Sequence, residues 1–218
     1  MTGSRMTTDE VWAAVDEHRE RFLDLLDALE EKEWATPSLC EGWTVREVAG
    51  HLTVQGGTSW REAGALAGRL VRARGNVDRL TREDGRRRAE RPVADILGDL
   101  LATVGTRTRP PMVTCRESLI DWLVHSQDVA IPLGRPLDLR PAAAAEAGSR
   151  IWAMRWPWFP QRRLRDCRLV ATDADWSRGT GTPVEGAMGD LLLLLSGRDV
   201  FLPRLAGPGA ASLATRLR

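Results

Sequence analysis

The chain has 218 residues, with 31 Lys and Arg against 30 Asp and Glu, so its formal net charge is only +1. This balance disfavours a nucleic-acid-binding protein, which usually carries a basic stripe. With 43% hydrophobic and 28% charged residues the composition is that of a globular protein, and no apolar run approaches the roughly 18 residues of a membrane span. Cys40, Cys115 and Cys167 are widely spaced and form no CxxC pair, which predicts reduced thiols and a cytoplasmic location.

Capping-box patterns predict the starts of the first two helices. Thr7-x-x-Glu10 precedes apolar residues spaced by three and four, and this pattern predicts a helix from about Thr8 to Trp34. Thr44-x-x-Glu47 opens a second helix with His51 beside its apolar stripe. After Gly56-Gly57, good helix formers continue over Trp60–Arg72.

One charged stretch and three further helices complete the helical part of the chain. The charged stretch Arg74–Arg91 is expected to be a solvated crossover, because its acidic residues dilute its arginines and disfavour a phosphate site. Pro92 then opens a third helix, and Thr114-x-x-Glu117 opens another that contains Asp121 and His125. Pro141 begins an Ala-rich helix that should run to about Trp156.

The composition changes after Trp156, where the segment Trp156–Pro160 is aromatic and interrupted by prolines. Beyond it, Cys167–Asp175 has strand-forming residues, whereas Ala187–Ser196 and Gly209–Leu217 have helical patterns. We therefore expect two domains: a helical one at residues 1–156 and a small α+β one at residues 157–218.

Asp121 and His125 are the most informative polar pair. They lie four residues apart on one predicted helix, so their side chains project from the same face and can share a metal ion. His51, on another amphipathic helix, is the natural third ligand, since helical bundles build metal sites from inward-facing side chains of neighbouring helices. Two histidines and one carboxylate leave coordination positions open, which is typical of a catalytic site.

Plainer interpretations of these residues stay open. The Asp121 and His125 pair could lie at the surface, and His51 could be a core histidine bonded to a carbonyl. His18 is interpreted first as a pocket or core residue, and Glu117 as a helix cap or a group that orients a histidine. Cys40 precedes a helix start, where a thiolate is favoured, but a buried inert thiol is the preferred interpretation.

Four segments, in order, resemble the mycothiol-dependent maleylpyruvate isomerase family. Residues 38–52, SLCEGWTVREVAGHL, are similar to the family's cpGWtvrdvvaHL segment, and residues 121–129 are similar to its E-x-x-x-H-x-x-D helix. Ala171–Trp176 and Leu195–Arg198 resemble its DADW and GR segments. This family belongs to the larger group of DinB-like metalloproteins.

The resemblance implies a mainly α fold: a DinB-like four-helix bundle followed by a small α+β domain of sterol-carrier type. It implies a divalent metal on His51, Asp121 and His125, with zinc expected and nickel as an alternative. Asp121 departs from the family pattern, which has glutamate there. The implied cofactor is the low-molecular-weight thiol mycothiol, and Arg198 is the candidate catalytic residue that holds a substrate carboxylate.

The implied reaction is an isomerisation or an S-transfer on a small electrophilic substrate, without nucleic-acid or membrane partners. Two alternatives remain. One is a non-catalytic DinB-like protein that binds a metal or a small ligand, with its tryptophans around an apolar molecule. The other is metal-assisted hydrolysis. The substrate and the oligomeric state have no signature in the sequence.

Overall fold

The computed structural model describes residues 5–57, 77–110, 113–154 and 156–217. The predicted helical continuation over Trp60–Arg72 lies outside these residues. The described helices are α1 (Thr8–Asp27), α2 (Val45–Leu52), α3 (Val77–Ala89), α4 (Val93–Leu101), α5 (Cys115–Ala130), α6 (Pro141–Ala153), α7 (Pro160–Arg163), α8 (Met188–Leu195) and α9 (Ala210–Leu217). Short 3₁₀ helices occupy Glu31–Ala35, Thr53–Gly56 and Leu202–Arg204, and the strands are β1 (Cys167–Ala171), β2 (Ser177–Arg178) and β3 (Thr182–Gly186).

The predicted fold class, mainly α with a small α+β part, is confirmed. Contacts divide the chain into one unit of residues 12–137 and another of residues 1–11 with 138–218. By its contacts α6 therefore groups with the C-terminal residues, although the sequence places it in the N-terminal domain. The boundary at residues 156/157 stays a prediction about independently folding domains. None of the described helices is long and apolar enough to cross a lipid bilayer.

All three predicted capping boxes form. Glu10 accepts a hydrogen bond from the Thr7 N–H at 2.7 Å, and Thr44 with Glu47 and Thr114 with Glu117 cap α2 and α5 reciprocally. The first helix ends at Asp27, earlier than predicted. A separate 3₁₀ helix follows, because the Glu33 carboxylate accepts the Glu30 N–H at 2.8 Å and starts a new turn.

The charged stretch after residue 74 contains helix α3 and is not the crossover predicted from its composition. The face of α3 that carries Leu80, Gly85 and Ala89 is buried, and it packs closely on α2. Arg86, Arg87 and Arg88 all have acidic partners within 3.2 Å. These ion pairs support the prediction against a phosphate site.

Glycines allow α2 and α3 to approach. A Cβ at Gly50 would lie 3.0 Å from the Ala89 nitrogen and 3.1 Å from the Gly85 oxygen, and these backbone atoms cannot move aside easily. We expect Gly50→Ala to lower the free energy of unfolding by about 1–2 kcal/mol, since overpacking outweighs the better helix propensity of alanine.

Gly98 on α4 is the matched control, because no described atom lies within 4 Å of the position that a Cβ would take there. Gly98→Ala should stabilise the protein by about 0.4–1 kcal/mol. Urea unfolding of both variants measures the difference. Equal effects of the two substitutions would show that the α2–α3 approach does not depend on Gly50.

Helix α1 packs against α5, which carries two of the predicted metal ligands. Phe22 meets Trp122 edge-on, with ring centroids 6.2 Å apart. The fully buried Arg19 stacks on the Trp122 ring and donates from Nη1 to the Thr103 carbonyl at 2.6 Å. These contacts hold α5 in the helical core with one face turned toward α2.

The C-terminal unit contains a sheet of order β2-β1-β3, with β1 antiparallel to β2 and parallel to β3. Two residues of the DADW-like segment have structural roles here. The Asp173 carboxylate accepts the Met188 N–H at 2.7 Å and caps α8, and Trp176 Nε1 donates to Ser149 Oγ at 2.9 Å. The apolar run Leu191–Leu195 is buried.

Candidate metal centre

His51 and His125 come together between α2 and α5. His51 lies in the last turn of α2, and His125 lies in the third turn of α5. Their ring centroids are 5.1 Å apart, with the rings nearly perpendicular. The Trp43 ring lies 5.3 Å from the His51 ring and 6.5 Å from the His125 ring, and it is itself buried. Two histidines that are 74 positions apart in the chain therefore form a pair, and both of their rings lie beside the indole of Trp43.

The Nδ1 atom of His125 faces a buried carboxylate. His125 Nδ1 lies 2.9 Å from Asp128 Oδ2, and Asp128 is fully buried. The thiol of Cys40 donates to the same oxygen at 3.0 Å and lies 3.5 Å from His125 Nδ1. A backbone bond from the Leu39 N–H to the Asp128 carbonyl, 3.0 Å long, holds this loop on α5.

The two imidazoles have opposite electrostatic surroundings. Burial, followed by the repulsion of His125, lowers the pKa of His51 to about 3, so this ring is neutral at physiological pH. Burial alone would also lower the pKa of His125, but its hydrogen bonds to Asp128 and Cys40 outweigh that effect and raise the pKa to about 10. A neutral imidazole is the form that binds a metal, so His51 is already in the binding form, whereas His125 has to release a proton when a metal binds.

Asp121 is held by a polar chain inside the helical unit. Its Oδ2 accepts a hydrogen bond of 2.7 Å from Gln55 Nε2, and Gln55 Oε1 accepts one of 2.9 Å from Ser118 Oγ. Gln55 and Ser118 are both fully buried. The side chain of Asp121 is therefore oriented by an amide that lies one turn beyond His51.

The separation of the His51 and His125 rings is compatible with one metal ion bound by both. Histidines that bind metals usually donate their other ring N–H to a carboxylate, and Asp128 occupies that position for His125. With nitrogens about 2.1 Å from a tetrahedral zinc, two imidazoles have centroids about 5 Å apart. The observed separation of 5.1 Å agrees with this value. Asp121 lies one helical turn before His125 on α5.

A different trio is the tighter cluster. Among the described residues, the potential ligand atoms that all lie within 4.8 Å of one another belong to Cys40, His125 and Asp128. The predicted set of His51, Asp121 and His125 is more open than this, so it stays a prediction about the metal-bound protein.

The remaining candidates have mainly structural surroundings. His18 is buried, and its Nε2 lies 2.6 Å from Ser126 Oγ. The Glu117 carboxylate caps α5 by accepting the Thr114 N–H at 2.8 Å. Arg198 follows α8 in the C-terminal unit, where its Nη1 donates to the Ser196 carbonyl at 2.7 Å.

Sequence reasoning missed three residues of this centre, although two of them had a local signal. Asp128 is three positions after His125 on the same helix, and Gln55 is four positions after His51. Trp43 had no signal of its own, because its place beside both rings depends on how α2 meets α5.

The fold and the site define a class of protein: a helical unit with a candidate metal centre between two helices, and a small α+β unit. Residues 15–109 match the family model described as the mycothiol maleylpyruvate isomerase N-terminal domain. No curated protein matches the chain in sequence.

Two solved structures resemble it over most of their length. One is a mycothiol-dependent maleylpyruvate isomerase, 14% identical, with a TM-score of 0.58 over 88% of this chain and 90% of that one. The other is a histidine-to-alanine mutant of such an isomerase, 11% identical, with a TM-score of 0.61 over 94% of each chain. Residues 15–109 thus resemble the N-terminal domain of this isomerase family, and the two solved structures share the fold of the chain.

Proposed function

We propose that this protein is a metal-dependent enzyme that uses mycothiol as its thiol cofactor and acts as an isomerase or an S-transferase on a small electrophilic substrate. The observation that carries the proposal is the pair of imidazoles 5.1 Å apart, one of them backed by the buried Asp128. The match of residues 15–109 to the mycothiol maleylpyruvate isomerase N-terminal domain supports the choice of mycothiol.

In this proposal His51, Asp121 and His125 hold the metal, for which zinc is expected and nickel is the alternative. A bound divalent metal supplies a Lewis acid that favours the thiolate form of a cofactor thiol. The protein contributes orientation: Asp128 holds the proton on His125 Nδ1, and Gln55 fixes one oxygen of Asp121. The buried indole of Trp43 keeps water from one side of both rings.

The proposed isomerisation or S-transfer depends on the reactivity of a thiolate toward an electron-poor double bond. When bound, the cofactor thiolate would supply reversible addition to the cis double bond, which would allow isomerisation to the trans form. A transferase releases the adduct instead. We assign Arg198 to a substrate carboxylate, because a guanidinium matches the two oxygens of that group.

Stabilisation by mycothiol tests this function. We expect the metal-loaded protein to gain several degrees in melting temperature with mycothiol in large excess over its Kd, since a ligand at about 100 times its Kd adds about 2.7 kcal/mol. Simple thiols without the mycothiol sugar groups and metal-stripped protein are the controls. Equal stabilisation by every thiol would contradict a dedicated mycothiol site. Stabilisation without turnover of any electrophile would favour the binding-protein alternative.

Gln55 provides a test of the Asp121 assignment. We expect Gln55→Leu, which keeps the volume but removes both hydrogen bonds, to weaken metal binding by roughly 10–100-fold, as loss of an orienting partner does in other metal sites. Ser118→Ala removes only the outer bond and should have a smaller effect. Isothermal titration with zinc measures both affinities in a Cys40→Ser background, in which the sulfur next to His125 cannot bind the ion. An unchanged affinity in Gln55→Leu would argue against Asp121 as a ligand.

Among the described residues, Cys40, Cys115 and Cys167 form no disulfide. This supports the further proposal that the protein works in a reducing compartment, with the cytoplasm as the expected location.

A further inference from the structure

The cluster of Cys40, His125 and Asp128 is built around Nδ1 of the His125 ring. Its potential ligand atoms are a sulfur, a nitrogen and an oxygen, separated by 3.5 Å (Sγ to Nδ1), 3.0 Å (Sγ to Oδ2) and 2.9 Å (Nδ1 to Oδ2). A thiolate, an imidazole and a carboxylate are together a ligand set for a borderline or soft divalent cation.

These separations are close to those of a tetrahedral metal site. With zinc–sulfur bonds of about 2.3 Å and zinc–nitrogen or zinc–oxygen bonds of about 2.1 Å, neighbouring ligand atoms are about 3.4–3.6 Å apart. The sulfur–nitrogen distance already has this value, and the other two distances need to open by about half an ångström. Small side-chain rotations provide such a movement.

The cluster is also held in place by the backbone around it. The Leu39 N–H bonds to the Asp128 carbonyl, and Ser38 Oγ accepts the Cys40 N–H at 3.1 Å. Asp128 is fully buried, so its negative charge stabilises a cation nearby more strongly than an exposed carboxylate would. Cys40 is half-buried, unlike Cys115 and Cys167, and gives an ion access from solvent.

We propose that Cys40, His125 Nδ1 and Asp128 form a second metal site, which takes a thiophilic divalent cation such as Zn²⁺ or Cd²⁺. The cation displaces the proton of the Cys40 thiol and the proton of Nδ1 to solvent and binds in place of the present hydrogen bonds. Solvent supplies the fourth ligand. The site needs neither His51 nor mycothiol, so it goes beyond the proposed function. It shares His125 with the proposed catalytic centre, and a cation on Nδ1 replaces the proton that Asp128 otherwise holds there.

Cobalt titration of the metal-stripped protein tests this site, because only a thiolate ligand gives an intense sulfur-to-cobalt absorption in the near ultraviolet. We expect this absorption in the wild type, in His51→Ala and in the cysteine control Cys115→Ser. It should be lost in Cys40→Ser and weakened at least tenfold at limiting cobalt in Asp128→Asn. Cobalt binding to the wild type without this absorption would overturn the proposal, as would its persistence in Cys40→Ser.

A measurement on the wild type alone removes any dependence on how the variants fold. Saturating Cd²⁺ should slow alkylation of Cys40 by iodoacetamide at least tenfold, as followed by peptide mass spectrometry. Unchanged alkylation of Cys40 in the presence of bound Cd²⁺ would overturn the proposal. Loss of metal in His51→Ala concerns only the proposed function, whereas loss of the sulfur-to-cobalt absorption in Cys40→Ser concerns only this site.

Discussion

Replacing either histidine of the facing pair is expected to remove the metal of the proposed catalytic site. The purified wild type should carry about one divalent ion per chain at this site. His51→Ala and His125→Ala should each lower the affinity by more than about 100-fold, because loss of a partner that only orients a ligand already costs roughly 10–100-fold. Activity toward an electrophilic substrate should be lost with the metal.

The measurement needs a background in which Cys40 cannot bind an ion. Metal content is therefore compared by plasma mass spectrometry in Cys40→Ser protein with and without each histidine change. His18→Gln is the matched control, because His18 bonds to Ser126 and lies outside the pair. Asp121→Glu should keep the metal, since it restores the carboxylate of the family pattern. Full metal content in both alanine variants would contradict the His51–His125 site.

Acid should destabilise the fold through His18. Burial, followed by repulsion from Arg21, lowers the pKa of His18 to about 4 in the folded chain, against 6.5 for an exposed histidine. The unfolded chain therefore binds this proton first as the pH falls. The contribution of neutral His18 to stability is complete above pH 6.5 and is lost progressively between pH 6.5 and about 4. This difference corresponds to about 3 kcal/mol.

Comparison with His18→Gln isolates this contribution. Glutamine can keep a hydrogen bond to Ser126 but does not titrate, so the variant should lose about 3 kcal/mol less than the wild type over that range. Urea unfolding at a series of pH values, with chelator present to exclude metal effects, gives the two curves. If the free energy of unfolding falls equally with pH in the wild type and in His18→Gln, the pKa of His18 is not lowered by folding and the prediction is wrong.

Local patterns predicted the helix starts well, and the physical reason is that a capping box needs only residues three positions apart. Thr44 with Glu47 and Thr114 with Glu117 cap α2 and α5 as expected. The prediction of a solvated crossover was wrong at α3, because the many arginines and acidic residues of this segment also occur on exposed faces of a helix. The sequence feature that could have predicted this helix is the pair of small residues Gly85 and Ala89, which lie four positions apart on the face that packs on α2.

At the candidate site, too, local patterns predicted some residues, whereas contacts between distant residues could not be predicted. Spacing along α5 placed Asp121 and His125 on one face, and the apolar stripe of α2 singled out His51. No sequence spacing could show that the Cys40 thiol reaches Asp128, because the two residues are 88 positions apart. Gln55 and Asp121 are likewise 66 positions apart. Such contacts depend on how helices pack, and packing is a property of the whole chain.

Periodicity, capping and residue rarity are local quantities, so the amino-acid sequence was enough to predict a near-neutral, mainly helical protein and to single out His51 and His125. What each of the two rings faces depends on the packing of the folded chain. It places Trp43 beside both rings, and it turns one nitrogen of His125 toward Asp128 and Cys40. The reason is physical: a hydrogen bond or a shared metal needs atoms within about 3.5 Å, and folding alone brings distant residues that close.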